Sequence, residues 1–182
     1  MIDLIRVFFQ RRAASRLTKR LRSVSFLVQF NEFTQRGQFP FPGQHTRLGL
    51  LLEGDPIGHV DYLINALGDR VYINKIEVDA THQRQGMGLA LLWHLWQVHQ
   101  VPIVPLFEYE LSYGFWDKAR QRFRAAGAEL HEQICSAFEM DEEKQRWQHL
   151  VPESEVEKSI REYWEWVASE HAAGRPAGPG IP

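Results

Sequence analysis

Six residues, Gln83-Arg84-Gln85-Gly86-Met87-Gly88, stand between a run of β-formers and an apolar stretch free of glycine and proline. Glycines at such a junction let the backbone close on an anionic group. The first free N–H groups of the following helix then point at that anion with the positive end of the helix dipole. The chemistry this arrangement suits is phosphate binding. The spacing is not that of a P-loop, because no lysine follows the second glycine. It is also one glycine short of the dinucleotide fingerprint, with Leu91 at the third position. Other side chains nearby in sequence that could do chemistry are Glu77 before the turn, His82 beside it, and Glu108, Glu110 and Tyr113 further on. The histidines show no metal-ligand spacing and no cysteine cluster accompanies them, so no metal is expected. There is no G-x-S-x-G, and the single cysteine, Cys135, reads as a core residue rather than a nucleophile.

The elements that must position these residues follow from periodicity. Residues 2–22 predict a basic, loosely amphipathic helix, and Ser23 to Phe30 a first strand. Asn31 to Gln44 mixes glycine and proline with Phe33, Phe39 and Phe41, which predicts an aromatic-lined loop. Strands are expected at Thr46 to Glu53, Ile57 to Leu63 and Val71 to Val78, joined by turns at Gly54-Asp55-Pro56 and Gly68-Asp69 as an antiparallel meander. Leu89 to His99 predicts a largely buried helix, and Val101 to Tyr109 a strand that Pro102 and Pro105 confine to an edge, bulge or splayed position. Trp116, Ala119, Phe123 and Ala126 recur at helical spacing before Gly127, and Ile134 to Met140 reads as a last strand. Ser154 and Glu157 form a candidate capping box before a final helix.

The run from Ile76 through the turn to Leu92 resembles motif A of the GNAT acetyltransferases: hydrophobic-x-Val, a short loop, Q/R-x-x-G-x-G/A, then an apolar helix. The resemblance extends more weakly from about Thr46 to Met140. It implies a mixed α/β GNAT acyl-CoA N-acyltransferase fold, a twisted, mostly antiparallel sheet that splays near the glycine turn with helices on both faces. It further implies acetyl-CoA as co-substrate. Gln83, Arg84, Gln85, Gly86, Met87, Gly88 and Leu89 would then bind its pyrophosphate, and Ile76, Glu77 and Val78 its pantetheine arm. An amine attacking a thioester needs its proton removed and the leaving thiolate protonated. Glu77, projecting away from the face of its neighbours Ile76 and Val78, is the candidate base. Glu108 and Glu110 are candidate substrate contacts. Motif B of the family carries a tyrosine as acid, but Phe123 stands at the matching place, which leaves Tyr113 as the candidate acid. The family also sets two helices between its first and second strands, where this chain has only segment 31–45. Either that loop replaces them or residues 2–22 supply one from outside the usual order.

The chain has 182 residues, a net charge of −2 and 44% hydrophobic residues, the profile of a folded domain rather than a disordered or strongly nucleic-acid-binding one. The expected organisation is a basic N-terminal helix at 1–22, the GNAT domain at 23–140, a helical extension at 141–171 and a disordered tail at 172–182. One cysteine and no membrane-length apolar run fit a cytoplasmic protein with no membrane partner. The implied activity is transfer of an acetyl or other acyl group from CoA to an amine, on a small molecule or a protein, by direct attack in a ternary complex. The other reading is a GNAT-fold binding or regulatory protein that engages RNA or protein through its basic N-terminal segment. Net charge lends a nucleic-acid partner no support, and the sequence leaves a homodimer open.

Overall fold

The computed structural model describes residues 2–34, 39 and 43–175. Residues 35–38 and 40–42 of the expected aromatic loop, and 176–182 of the expected disordered tail, lie outside the described residues. The chain divides into two compact units, Met1–Gln148 and His149–Pro182.

In the first unit, β1 (Val24–Phe33), β2 (Gln44–Leu52), β3 (Asp55–Ile64) and β4 (Val71–Val78) form an antiparallel meander, and β5 (Ile103–Pro105) joins β4 in parallel. The β2–β3 turn is tighter than the sequence suggests. Glu53 and Gly54 make it alone, with φ of 54° and 96°, while Asp55 and Pro56 already pair with Leu52 and Leu51. A two-residue loop with both φ positive matches the right-handed twist of its strands, which is why the turn closes there.

Alternation along β4 splits the interior in two. Val71 and Ile73 join Leu48, Leu50 and Val60 in the main core, against Leu91, Leu92 and Leu95 of α2 (Met87–His99) and Trp116 and Phe123 of α3 (Tyr113–Ala126). Tyr72, between them, heads a smaller cluster with Val104, Leu106, Phe39, Ile134 and Met140. The C-terminal half of the N-terminal helix α1 (Ile2–Leu21) packs on the main core, while Leu4, Ile5, Phe8 and Phe9 at its start are exposed. Leu17 is buried there, and Thr18 Oγ accepts the Trp93 indole N–H at 3.1 Å.

Three expectations are corrected. Residues 137–140 are not a strand but the start of α4 (Ala137–Gln145), because the Glu139 carboxylate takes the N–H groups of Cys135 and Ser136 while Ser136 Oγ accepts from Glu139 N. That reciprocal cap outweighs the weak alternation before it. What remains of the last strand is a parallel run beside β5, with isolated bridges from Leu130 to Ile103 and from Ile134 to Leu106. The strand expected over 101–109 shrinks to three residues, because its partner β4 is met only from Val71 to Ile73. Cys135 is exposed, since it precedes the α4 cap on the surface.

In the second unit, α5 (Glu155–Ala172) begins with the predicted box: Ser154 Oγ accepts from Glu157 N at 3.2 Å and Ser154 N donates to the Glu157 carboxylate at 2.9 Å. Arg175 follows it, bound to Glu170 at 2.7 Å.

Two histidines on α2 couple this fold to pH. His94 stacks on Phe26 with ring centroids 3.8 Å apart, and His99 packs against Tyr62. Burial disfavours the imidazolium and holds both pKa values below the ordinary histidine range. The unfolded chain therefore takes up protons first. The contribution of these residues is full above the unfolded histidine pKa and is lost as pH falls through that value and on through the lower folded ones. Denaturant melts at about pH 8 and about pH 5 should show lower stability at the acid end, and His99→Gln should flatten the difference. An unchanged difference in that variant would remove His99 from the account.

Candidate active site

The glycine turn is built by its own side chains. Gln83 Nε2 donates to Val78 O at 2.9 Å and Gln85 Nε2 to Thr81 O at 3.0 Å, stapling the loop on either side of the short 3-10 turn Ala80–His82. Arg84 and Gly86 both lie in the left-handed region, with φ of 59° and 87°. Gly86 caps α2, and the first helical bond runs from Ala90 N to Gly86 O at 3.0 Å. The N–H groups of Met87, Gly88 and Leu89 precede that bond and are left for an outside acceptor. A Cβ at Gly88 would come within 3.1 Å of the Phe115 ring, so the first turn of α3 abuts the start of α2.

Beside the turn the sheet opens. The β4–β5 pairing ends at Ile73↔Pro105, with Leu106 N donating to Ile73 O at 2.8 Å. From there Phe107, at φ 61°, turns the chain away, while β4 runs on to Val78 paired with β3 alone. Among the described residues, the outer edge of 74–78 thus carries main-chain donors and acceptors with no strand against them, directly before the turn.

Ile76 and Val78 pack on the main core, and Glu77 projects from the opposite face as alternation requires. Its carboxylate is about half exposed (53%), 2.6 Å from Lys75 Nζ and 3.9 Å from His59 Nε2 across the ladder. The hydrogen bond and charge of Lys75 hold the Glu77 pKa below the usual carboxylate range. Next to them Arg47 grips Asp61 through two bonds of 2.6 and 2.8 Å. The burial of Asp61 opposes its ionisation, but the guanidinium outweighs that and keeps its pKa low.

The other candidates are placed differently. Glu108 is buried, its N–H donating to the Gln133 side chain and its carboxylate held by Arg120 at 2.5 and 3.1 Å. Arg120, which Asp117 also contacts, has its pKa raised chiefly by Glu108. That carboxylate is committed to holding α3 against the strand-to-helix loop. Glu110 is exposed in the short 3-10 turn Glu110–Ser112, and Tyr113, 46% exposed, opens α3 two residues before Phe115. Phe123 has no exposed surface and packs edge-to-face on Trp93. His82 Nδ1 lies 3.0 Å from Thr81 Oγ. Sequence reasoning missed Lys75, His59 and Arg20. Lys75 was visible as the residue two before Glu77 on an alternating strand. His59 and Arg20 reach the site only through the fold.

Among the described residues no cluster of histidine, cysteine and carboxylates could hold a metal, and no helix is long and apolar enough to cross a membrane. A mostly antiparallel sheet that parts beside a glycine turn capping a buried helix defines a mixed α/β domain. Residues 15–100 match the model of the acetyltransferase (GNAT) family. No curated protein matches the sequence. Among solved structures it is similar to an aminoglycoside acetyltransferase from an uncultured soil metagenomic sample, crystallised with sisomicin. The two are 19% identical over 63% of this chain and 78% of that one, with a TM-score of 0.35. It is also similar to a GCN5-related N-acetyltransferase from Kribbella flavida (15% identity, 62% of this chain and 40% of that one, TM-score 0.32). A third is a ribosomal-protein-alanine N-acetyltransferase from Brucella melitensis biovar Abortus (17%, 61% and 66%, TM-score 0.28).

Proposed function

We propose that this protein is an acetyl-CoA-dependent N-acetyltransferase that acts on an amine acceptor by direct attack in a ternary complex. The observation that carries the reading is the turn 83–88, with its open N–H groups at the start of α2 lying directly after the unpaired edge of β4. The residues fit the coenzyme: the turn offers converging donors to a diphosphate, and the edge of Ile76 to Val78 offers a strand-like partner to the amides of a pantetheine arm. When bound, acetyl-CoA supplies the acyl group as an activated thioester. Glu77 would accept the proton of the attacking amine, directly or through water, and Tyr113 would donate one to the leaving sulfur. Much of the rate would come from positioning both partners across the opening between β4 and β5. Glu77, together with exposed Glu110, favours a cationic acceptor, either a small molecule or a protein amine.

Because Lys75 depresses the Glu77 pKa, Glu77 stays ionised throughout the neutral range. The acid limb of the rate profile should therefore belong to the amine. Glu77→Gln is expected to lower kcat about a hundredfold while leaving the Kd for acetyl-CoA within about twofold. Calorimetric titration with acetyl-CoA, followed by product detection over an amine panel, tests the whole reading. Absence of binding at roughly millimolar coenzyme would sink it.

A second reading, a GNAT-fold binding or regulatory protein with little catalysis, is favoured by Phe123, which is buried where the family's acid is expected. Tight coenzyme binding without turnover on any amine would select it.

A further inference from the structure

A second cation reaches the turn, beside its own Arg84, from outside the motif. Arg20, in the last turn of α1, donates from Nη1 to Gln85 O at 3.0 Å. A Cβ at Gly86 would stand 2.0 Å from the same nitrogen and 2.8 Å from Cζ, so the guanidinium lies against the backbone of the turn. Among the described residues no carboxylate pairs with it, and its recorded acceptor is a neutral carbonyl. A guanidinium held at converging N–H groups without a counter-charge leaves positive potential with no local anion to neutralise it, and it retains four further N–H donors.

Arg16 and Arg12 precede Arg20 by four and eight residues, which puts all three on one stripe of α1 at steps of about 6 Å. Arg12 and Arg16 line a pocket of about 590 Å³ together with Arg6, Phe9 and, from α3, Arg124. No carboxylate pairs with these arginines among the described residues either. A row of uncompensated cations therefore leads from the turn to an arginine pocket, on a molecule whose net charge is −2. Coenzyme A carries its negative charge in two places, a diphosphate and a ribose 3′-phosphate, separated by a single ribose.

We propose that α1 completes the coenzyme site, Arg20 binding the diphosphate on the turn and the Arg12–Arg16–Arg124 pocket receiving the 3′-phosphate. This rests on the acetyl-CoA reading above and goes beyond it, because it assigns the phosphate cations to a helix that precedes the whole sheet.

Calorimetry with CoA and with 3′-dephospho-CoA at fixed salt distinguishes the parts. Arg20→Ala should weaken both ligands about tenfold to a hundredfold, the range of a lost charge-assisted hydrogen bond, with Arg20→Lys intermediate because it keeps the charge and loses the fork. Arg16→Ala and Arg124→Ala should weaken CoA and leave dephospho-CoA unchanged. Thermal melts of each variant confirm that the comparison is made on folded protein. Wild-type affinity for both ligands in Arg20→Ala would overturn its role at the diphosphate. Equal losses for both ligands in Arg16→Ala, or none, would overturn the 3′-phosphate assignment. If the wild-type chain bound neither ligand, the acetyl-CoA reading itself would fall and take this inference with it, an outcome distinct from both.

Discussion

Replacing Gly86 by valine is expected to weaken acetyl-CoA binding by a hundredfold or more while leaving the protein folded. Gly86 sits at φ 87° and ψ 14°, a region where a β-branched residue is held only under strain, roughly 1–3 kcal/mol. Its Cβ would also meet the Arg20 guanidinium at 2.0 Å, so either the turn or the arginine must move. Both movements damage the same function. Reorienting residue 86 rotates the N–H groups of Met87 and Gly88 away from their common focus, and displacing Arg20 removes the adjacent cation. Losing two charge-assisted bonds, each about 1.5–3 kcal/mol, corresponds to a hundredfold or more in Kd. The fold should survive because α2 is anchored by Leu91, Leu92 and Leu95 in the main core, well beyond the cap. Gly86→Asn, which tolerates the left-handed region, should be milder in strain and still displace Arg20. Calorimetry on both variants, with melts alongside, checks the expectation, and an unchanged Kd in Gly86→Val would remove the turn from the binding site.

The largest effect on stability is expected at Glu143. This carboxylate is buried on the second face of the sheet, where Tyr72 Oη donates to it at 2.5 Å, Arg146 at 2.6 Å, and Arg70 pairs with its other oxygen. Burial, and then the neighbouring carboxylate, push the Tyr72 pKa upward, so the phenol remains a donor under all ordinary conditions. Glu143→Ala would leave two guanidinium groups and a buried hydroxyl facing one another. Arg146 keeps Asp69 at 2.5 Å, but Arg70 and Tyr72 lose their main acceptor. Removing one member of a buried ionic cluster costs about 3–5 kcal/mol, most of it the cost of the charges left behind. Equilibrium denaturation should show that loss. Tyr72→Phe, which removes one donor and leaves the ions paired, should cost only about 1 kcal/mol. If both variants lost the same stability, the carboxylate would not be the centre of this cluster. Coenzyme affinity of the folded fraction should hardly change in either, because the cluster lies across the sheet from the main core that carries α2.

How much of this was legible beforehand varied with the range of the deciding interaction. The meander was readable because strand period and turn chemistry act over a few residues, and the box at Ser154 and Glu157 for the same reason. The equally local box at Ser136 and Glu139 outweighs the strand-like alternation of 134–140, because a reciprocal cap fixes a helix start that alternation alone does not reveal. The fate of Glu108 was different in kind. Arg120, in the middle of α3, holds its carboxylate, a contact that no local spacing specifies. Cys135 likewise has the composition of a core residue, and only the position of the α4 cap put it outside.

By itself the sequence determined the turn: two glycines between a β-branched strand and an apolar helix dictate where free N–H groups must converge, because helix starts leave donors unpaired wherever they occur. It also determined that Glu77 faces away from the core, since strand alternation admits no other outcome once Ile76 and Val78 are buried. The tertiary structure decided what surrounds them. Whether β4 keeps an open edge depends on where β5 departs, and that depends on Phe107 and on the run from Leu130 to Ile134 beside it. Whether a cation from outside the motif reaches the turn depends on α1 crossing α2 and α3, which brings Arg20 to Gln85 across 65 residues of chain. No local rule specifies that approach, because it follows from burying Leu17 and satisfying Trp93.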